Sequence, residues 1–185
     1  MAADTVKSAS ITVMDAAAQS LSPSLIEGVG APGWMVDHSD FVAMTAGGLA
    51  STSSTYKMVR LPSSCTLKVG RLFTKAGLDS STGLAIDLGA YYSDDNNDGT
   101  PFSLQGVLIS ATCFVSNVAF GQSGAGSNID ALSNLDANLR NSQLWQQVGL
   151  SSDPGGYIDI VLAVHTVASG TAAAGNVVLN VATVN

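Results

Sequence analysis

The residues best suited to chemistry stand in one acidic stretch, YYSDDNNDGTPF, at positions 91–102. Its first half matches a calcium-binding loop, in which alternate side-chain oxygens face one centre, at Asp94, Asn96, Asp98 and Gly99. The second half does not match, because position 12 of such a loop is Gln105, whose amide cannot supply a bidentate carboxylate. We therefore interpret the stretch as a turn between strands, and keep Asp94, Asn96 and Asp98 only as a weak calcium candidate.

The other motifs do not combine into a catalytic site. The glycine-rich stretch GQSGAGSN at 121–128 lacks the Lys-Ser/Thr pair of a phosphate-binding loop. It also has Ala125 where a nucleophile elbow requires glycine, so Ser123 has no support as a nucleophile. The two histidines, His38 and His165, are too far apart in the chain to form a metal site by themselves. We expect no enzymatic activity, no cofactor and no resident metal.

A group of basic residues close together in the sequence indicates a possible interaction surface. Five of the seven lysines and arginines fall within nineteen positions, at Lys57, Arg60, Lys68, Arg71 and Lys75. Lysines on an edge strand discourage unwanted strand pairing. Positive charge spread over one sheet also suits docking onto an acidic protein surface. The two interpretations are compatible, and the second makes these five residues candidates for contact with an acidic protein surface.

Composition limits the class of protein. The chain has 185 residues, the length of one ordinary domain, with 46% hydrophobic and 11% charged residues. A formal charge of -7 argues against nucleic-acid partners. The sequence has no apolar run long enough for a membrane helix and none of the signal-peptide type, so we expect neither membrane insertion nor secretion.

From residue 56 onward the hydrophobic pattern has period two, as in half-buried strands. TLKVGRLF is predicted to place Leu67, Val69 and Phe73 on one face and Lys68 on the other. LAIDLGAYY and YIDIVLAVHTVA alternate in the same way, and a further strand is predicted to begin near Phe102. One short helix is expected in QLWQQVG, capped by Ser142 and ended by a glycine. The predicted fold is all-β, an antiparallel, jelly-roll-like sandwich.

The first 55 residues read differently. Their apolar patches are short and broken by prolines and glycines, and the best strand candidates are 11–14 and 41–44. We predict an extended N-terminal arm at 1–55 and a β-sandwich domain at 56–185. Trp34 and Phe41 are the expected apolar anchors of this arm on the domain or on a neighbouring subunit.

The strand pair and the C-terminal region resemble a group of small virion proteins of tailed bacteriophages. The similarity covers about residues 56–185, and it rests on YKMVRLPSSCTLKVGRLF, on AIDLGAYYSDDNNDG and on LWQQVGLSSDPGGYIDIVLAVHTVASGTAAAGNVVLNVATV. It departs at Cys65, where a small residue is usual in the group, and in the acidic loop at 94–98. These motifs are patterns of strand and turn and contain no catalytic signature.

The resemblance implies a structural protein on the surface of a phage head, made in the host cytoplasm. More specifically, it implies a capsid decoration or cement protein that bridges major capsid subunits, and a homotrimer. The residues expected to contact the capsid protein or an adjacent protomer are then Lys57, Arg60, Lys68, Arg71 and Lys75. The alternative is a fibre, neck or tail-associated sandwich that binds a receptor or glycan, with Tyr91, Tyr92 and Trp34 as its available aromatics. Copy number in the particle distinguishes these functions.

Overall fold

The computed structural model describes residues 5–19, 35–95 and 98–184. The described strands are β1 (Thr5–Lys7), β2 (Met35–Met44), β3 (Thr55–Pro62), β4 (Thr66–Thr74), β5 (Ala85–Tyr92), β6 (Leu108–Ala119), β7 (Ser127–Asp130), β8 (Tyr157–Thr166) and β9 (Gly175–Val184). The described α-helices are α1 (Ala9–Gln19), α2 (Ala46–Leu49) and α3 (Leu144–Gln147). Two 3-10 turns are formed by Phe102–Leu104 and Ala137–Leu139. None of the helices in these residues is long and apolar enough to cross a membrane.

The strands form two sheets, in the orders β1-β3-β8-β5-β6 and β2-β9-β4-β7. Strands β2 to β9 pair as nested antiparallel partners: β2 with β9, β3 with β8, β4 with β7, and β5 with β6. This is the pairing of one long hairpin rolled into a sandwich, which is the jelly-roll arrangement. The predicted all-β, antiparallel sandwich of jelly-roll type is confirmed.

One hydrophobic core fills the space between the sheets. The predicted inward positions of β5 and β8 are buried, and they belong to this core together with Tyr56, Phe114, Phe120 and Leu179. Because successive side chains of a strand point to opposite faces, burial of alternate residues sets which face of each sheet is turned outward. The outward faces are therefore where a functional surface has to be found.

The N-terminal segment differs from the prediction. The expected strand at 11–14 is wrong, because these residues lie in α1, where Ser8 Oγ accepts the Ile11 N–H at 3.4 Å as an N-cap. The helix also contains the strong helix formers of the DAAAQ sequence. Ile11 is fully buried, and Asp40 accepts a hydrogen bond from the Ser10 N–H at 2.8 Å.

The strand expected at 41–44 is confirmed within β2, which pairs with β9 along its whole length. Residues 35–55 are thus part of the sandwich. The two sheets therefore include residues on both sides of residue 55, where the sequence predicted the arm to end and the domain to begin. The sequence pattern hid this because the core-facing side of β2 includes the polar residues His38 and Asp40. Contact of residues 1–55 with a neighbouring subunit stays a prediction, and Trp34 lies outside the described residues.

Two local predictions are corrected. The β4 register shifts between Leu67 and Val69, so Leu67 is buried whereas Val69 points outward with Phe73. Such a bulge inserts one residue and reverses the alternation beyond it. The strand expected from Phe102 begins only at Leu108, because Phe102 lies in a 3-10 turn.

The expected short helix is present as α3, but its N-cap is Gln143, one residue after the predicted Ser142. Gln146 Oε1 accepts the Gln143 N–H at 3.2 Å, which satisfies the first free donor of this helix. Gly149 follows with φ +89°, the left-handed conformation that ends a helix.

Candidate functional site

Arg60 lies at the centre of an ionic cluster on the outward face of the five-stranded sheet. Its Nε donates to Asp159 Oδ1 at 2.7 Å and its Nη2 to Asp94 Oδ1 at 2.7 Å. Its Nη1 donates to Asp15 of α1, and the side chains of both Arg60 and Asp159 are fully buried. We call this set the Arg60 cluster; its cations are Lys7, Lys57 and Arg60, and its anions are Asp15, Asp94, Asp95 and Asp159.

A bulge in β3 brings the two basic residues of this strand together. The register with β8 shifts between Lys57 and Val59, so Lys57 and Arg60, three positions apart, face the same side. In a regular strand residues three apart would lie on opposite faces. Lys57 Nζ then lies 3.1 Å from Asp159 and 2.9 Å from Asp94.

The charges in the cluster stabilise one another. Burial alone would lower the pKa of Arg60, but hydrogen bonds and attraction from Asp159 raise it above its ordinary value. Burial would raise the pKa of Asp94, yet its contacts with Lys57 and Lys7 hold it well below the usual range. Both groups are therefore charged at neutral pH, and the cluster links β1, α1, β3, β8 and the loop after β5.

The Arg60 cluster contains two of the five basic residues that were predicted to contact another protein. Lys57 and Arg60 were predicted to contact a capsid protein or protomer, but both are buried and already paired within the chain. Their charge is neutralised by carboxylates of the same molecule. The contact hypothesis therefore rests on Lys68, Arg71 and Lys75.

The acidic loop supplies counter-ions to the same cluster. Both carboxylate oxygens of Asp94 contact cations, whereas Asp98 Oδ1 accepts the Thr100 N–H at 2.9 Å in a local turn. Asn96 lies outside the described residues. Among residues the structure does describe, no three histidine, cysteine, aspartate or glutamate side chains are grouped to hold a metal ion.

We predict that millimolar calcium leaves the melting temperature unchanged. Calcium binding at Asp94 would have to displace Lys57 and Arg60 and leave a buried guanidinium short of partners. The measurement is a thermal melt with calcium and with chelator, using Asp98→Asn as the matched variant. A clear rise with calcium in the natural chain that is lost in Asp98→Asn would contradict this prediction, because a ligand that binds only the folded form stabilises it.

The remaining basic residues lie along one strand. Arg71 and Lys75 are exposed on β4 and just after it, and Lys68 occupies the β4 bulge, where its Nζ donates to Asn141 at 2.9 Å. None of the three forms an ion pair with a carboxylate in the described part of the chain. The fourth basic residue outside the Arg60 cluster, Arg140, lies 4.0 Å from Asp130. The free positive charge of this acidic molecule is therefore concentrated along β4.

The outward face of the four-stranded sheet, which contains β4, is rich in apolar side chains. Met35 is 62% exposed, Val69 54% and Phe41 49%. One row of directly opposed residues crosses the sheet as Phe41, Val178, Phe73 and Asn128. Exposed apolar groups gathered on one face are typical of an interaction site. We call this surface the outer face.

A cleft of about 410 Å³ opens in the outer face over β9. Its floor contains Ala182, whose short side chain lies between Asp37 on β2 and Val69 on β4. The next row along β9 contains Ser39, Asn180 and Arg71, where Ser39 Oγ donates to Asn180 Oδ1 at 2.6 Å. We call this cleft the β9 groove. It offers a carboxylate on one wall, a guanidinium on the other and an amide between them.

The histidines and the serine that the sequence suggested for catalysis or metal binding do not lie together on the outer face. His165 Nδ1 is 2.8 Å from Asp87 Oδ2, on the opposite sheet. His38 Nε2 is 3.1 Å from Thr183 Oγ1, and burial lowers the pKa of this histidine. Ser123 has φ +56° in an exposed turn and donates its N–H to the Ser81 carbonyl. The structure does not bring Ser123 into hydrogen-bond contact with either histidine.

Sequence reasoning missed Asp79, a buried carboxylate at one end of the sandwich. Its side chain accepts five backbone hydrogen bonds, from Ser81, Gly83, Leu84, Ser169 and Gly170. Burial alone would raise the pKa of Asp79, but these donors lower it to about 2. The local signal was DSSTG, an aspartate followed by small turn-forming residues, whereas the two donors some 90 positions away left no trace in the pattern.

A second exposed apolar group lies where β6 begins. Phe102 is 84% exposed, and Val107 and Leu108 are each nearly half exposed. Strand β6 is at the edge of the five-stranded sheet. An edge strand beside apolar side chains is a common place for contact with another chain.

Comparisons with known proteins identify solved structures that are similar to this chain. No protein-family model and no curated protein sequence matches this chain. Among solved structures, a chain of the cyanophage Pam1 capsid asymmetric unit is 18% identical, with 85% of this chain and 89% of that chain covered and a TM-score of 0.49. A chain from the capsid of Ralstonia phage GP4 is 11% identical, with 84% of this chain and 86% of that chain covered and a TM-score of 0.56. This last similarity shows that the two chains share a fold over most of their lengths.

Proposed function

We propose that this protein is a non-enzymatic structural protein of a bacteriophage virion, which decorates the head and stabilises it by bridging neighbouring major capsid subunits. The observation that carries the proposal is the fold similarity, over 84% of this chain, to a chain from the capsid of Ralstonia phage GP4. The sequence motifs of β3, β5 and β8 point the same way, since they resemble those of small phage virion proteins.

The surface of the molecule suits such a role. A decorating protein acts by burying area across the joints between capsid subunits, at about 25 cal/mol per Å² of apolar surface before ordering costs. The outer face offers Met35, Phe41 and Val69 for this burial, with Lys68, Arg71 and Lys75 for electrostatic steering. Repetition over a shell makes modest contacts collectively strong.

We further propose that the protein is a homotrimer on the outside of the head, made in the host cytoplasm. One small oligomer at a three-fold position can bridge three neighbours with repeated contacts. The apolar group at Phe102, Val107 and Leu108, beside the β6 edge, is the surface we propose for contact between copies. Light scattering of the purified protein measures the number of chains directly.

The test is addition of the purified protein to expanded heads that lack it. We expect binding at hundreds of copies per head, seen by cryo-electron microscopy, and heads that withstand a higher temperature before releasing DNA. A few to some tens of copies confined to one vertex would overturn the decoration role and favour a neck or tail component. Binding to host cells or to glycan would favour the receptor-binding alternative.

A further inference from the structure

Among the described residues, the outward face of the four-stranded sheet is exposed, whereas the part of the five-stranded sheet around Arg60 and Asp159 is covered. The five-stranded sheet has Arg60 and Asp159 on its outward face, and these are covered by Asp15 of α1 and by Asp94 of the loop after β5. On the four-stranded sheet the outward residues of β2 are exposed from Met35 to Ala43. Within residues 5–19, 35–95 and 98–184, the chain thus covers the charged part of one outward face with its own segments, whereas the apolar outward face of the other sheet is exposed.

The shape of the open face fits an extended segment. Alternate residues of the central strand β9, Val178, Asn180 and Ala182, lie between taller side chains of β2 and β4. On one wall stand Asp37 and Phe41, and on the other stand Val69, Arg71 and Phe73. A chain lying along β9 would place alternate side chains over the β9 groove and then over the aromatic row.

The charge of the face favours an acidic occupant. Arg71 lies directly opposite Asp130 of β7, but that carboxylate accepts the Leu132 N–H at 2.9 Å and lies 4.0 Å from Arg140. Arg71 is therefore left without an ion pair among the described residues, with Lys68 and Lys75 on the same strand. A carboxylate is the partner that a guanidinium binds with two parallel hydrogen bonds.

We propose that the outer face binds an extended, acidic and apolar segment of the major capsid protein. A carboxylate of this segment pairs with Arg71 in the β9 groove, and an apolar side chain packs on Phe41, Val178 and Phe73. Asp37 on the opposite wall accepts a hydrogen bond from a donor of the segment, so the two walls fix its direction. The identity of the partner rests on the proposed function, whereas the groove and its charges are properties of this chain.

The experiment measures binding of variants to expanded heads that lack the protein. Arg71→Glu is expected to weaken attachment roughly tenfold or more at low salt, and less at high salt, because the contact is electrostatic. Phe41→Ser is expected to weaken it with little dependence on salt. Ser116→Glu is the control, since it adds a negative charge at an exposed position of β6 in the other sheet, and it should bind within about twofold of the natural chain.

The occupant is identified by a photo-crosslinking residue in place of Asn180, followed by mass spectrometry of the joined peptide. We expect a major capsid protein peptide containing aspartate or glutamate. Crosslinks to a second copy of this chain, or to a peptide without a carboxylate, would overturn the proposal. Failure of the natural chain to bind heads would count against the proposed function, whereas natural binding with unaffected Arg71→Glu and Phe41→Ser variants would count against the groove alone.

Discussion

Replacing Arg60 with methionine is expected to lower the free energy of unfolding by about 3–5 kcal/mol, because it leaves buried carboxylates without their main partner. Asp159 is fully buried, and only Lys57, at 3.1 Å, would remain to pair with it. Asp15 and Asp94 would lose the same guanidinium. Since small domains are stable by about 5–15 kcal/mol, this loss is a large part of the total. Urea unfolding followed by circular dichroism measures it.

Arg71→Met is the matched control, because it makes the same replacement at an exposed arginine of the other sheet. It should change the free energy of unfolding by less than about 0.5 kcal/mol. Combining Arg60→Met with Asp159→Leu should recover part of the loss, since removing both members of a buried pair costs less than removing one. An Arg60→Met protein as stable as Arg71→Met would contradict the prediction, because it would show that the ion pairs of Arg60 add no net stability.

Strands β5 and β8 could be predicted because their apolar residues alternate in the sequence, although residues on both faces of these strands are buried. Strands β5 and β8 have clean period-two patterns, and each lies between two neighbours within the five-stranded sheet. The pairing order could not be read in the same way. It depends on contacts such as those of β2 with β9, whose residues are more than 130 positions apart.

The faces of β3 and β4 could not be predicted, because each strand contains a bulge. A bulge is set by the register with a partner strand, which no local pattern encodes. In β4 it turns Val69 outward to join Phe73 on the outer face. In β3 it brings Lys57 and Arg60 to one side, where they meet carboxylates from distant parts of the chain.

The candidate site was therefore only partly predictable. Five basic residues lie close together in the sequence, but in the structure two of them, Lys57 and Arg60, are buried, whereas the other three are at least partly exposed. The acidic stretch that first suggested calcium provides Asp94 and Asp95 as counter-ions for the buried members of that group. The exposed members, Lys68, Arg71 and Lys75, remain beside an apolar face, which is where a docking role is still reasonable.

Asp79→Asn is expected to lower the free energy of unfolding by about 3 kcal/mol. The natural carboxylate accepts backbone N–H groups from Ser81, Gly83 and Leu84 on one loop and from Ser169 and Gly170 on another. An asparagine keeps one acceptor oxygen but turns an NH2 group toward backbone donors, and it removes the charge that strengthens these bonds. Urea unfolding at neutral pH measures the loss.

Asp136→Asn is the control for this prediction. Asp136 is exposed and caps a single N–H, and asparagine caps equally well, so the free energy of unfolding should change by no more than about 0.5 kcal/mol.

The pH dependence of the unfolding free energy shows whether Asp79 stabilises the fold through its negative charge or only through its shape. Its pKa is lowered to about 2, below the ordinary value of 3.8, so the unfolded chain binds more protons between these values. The stability that the carboxylate contributes is therefore present above about pH 4 and is lost as the pH falls through about 2. The difference in unfolding free energy between the natural chain and Asp79→Asn should narrow over that interval. A difference that stays constant down to about pH 2 would mean that the asparagine acts by steric misfit and that the five hydrogen bonds gain nothing from the charge.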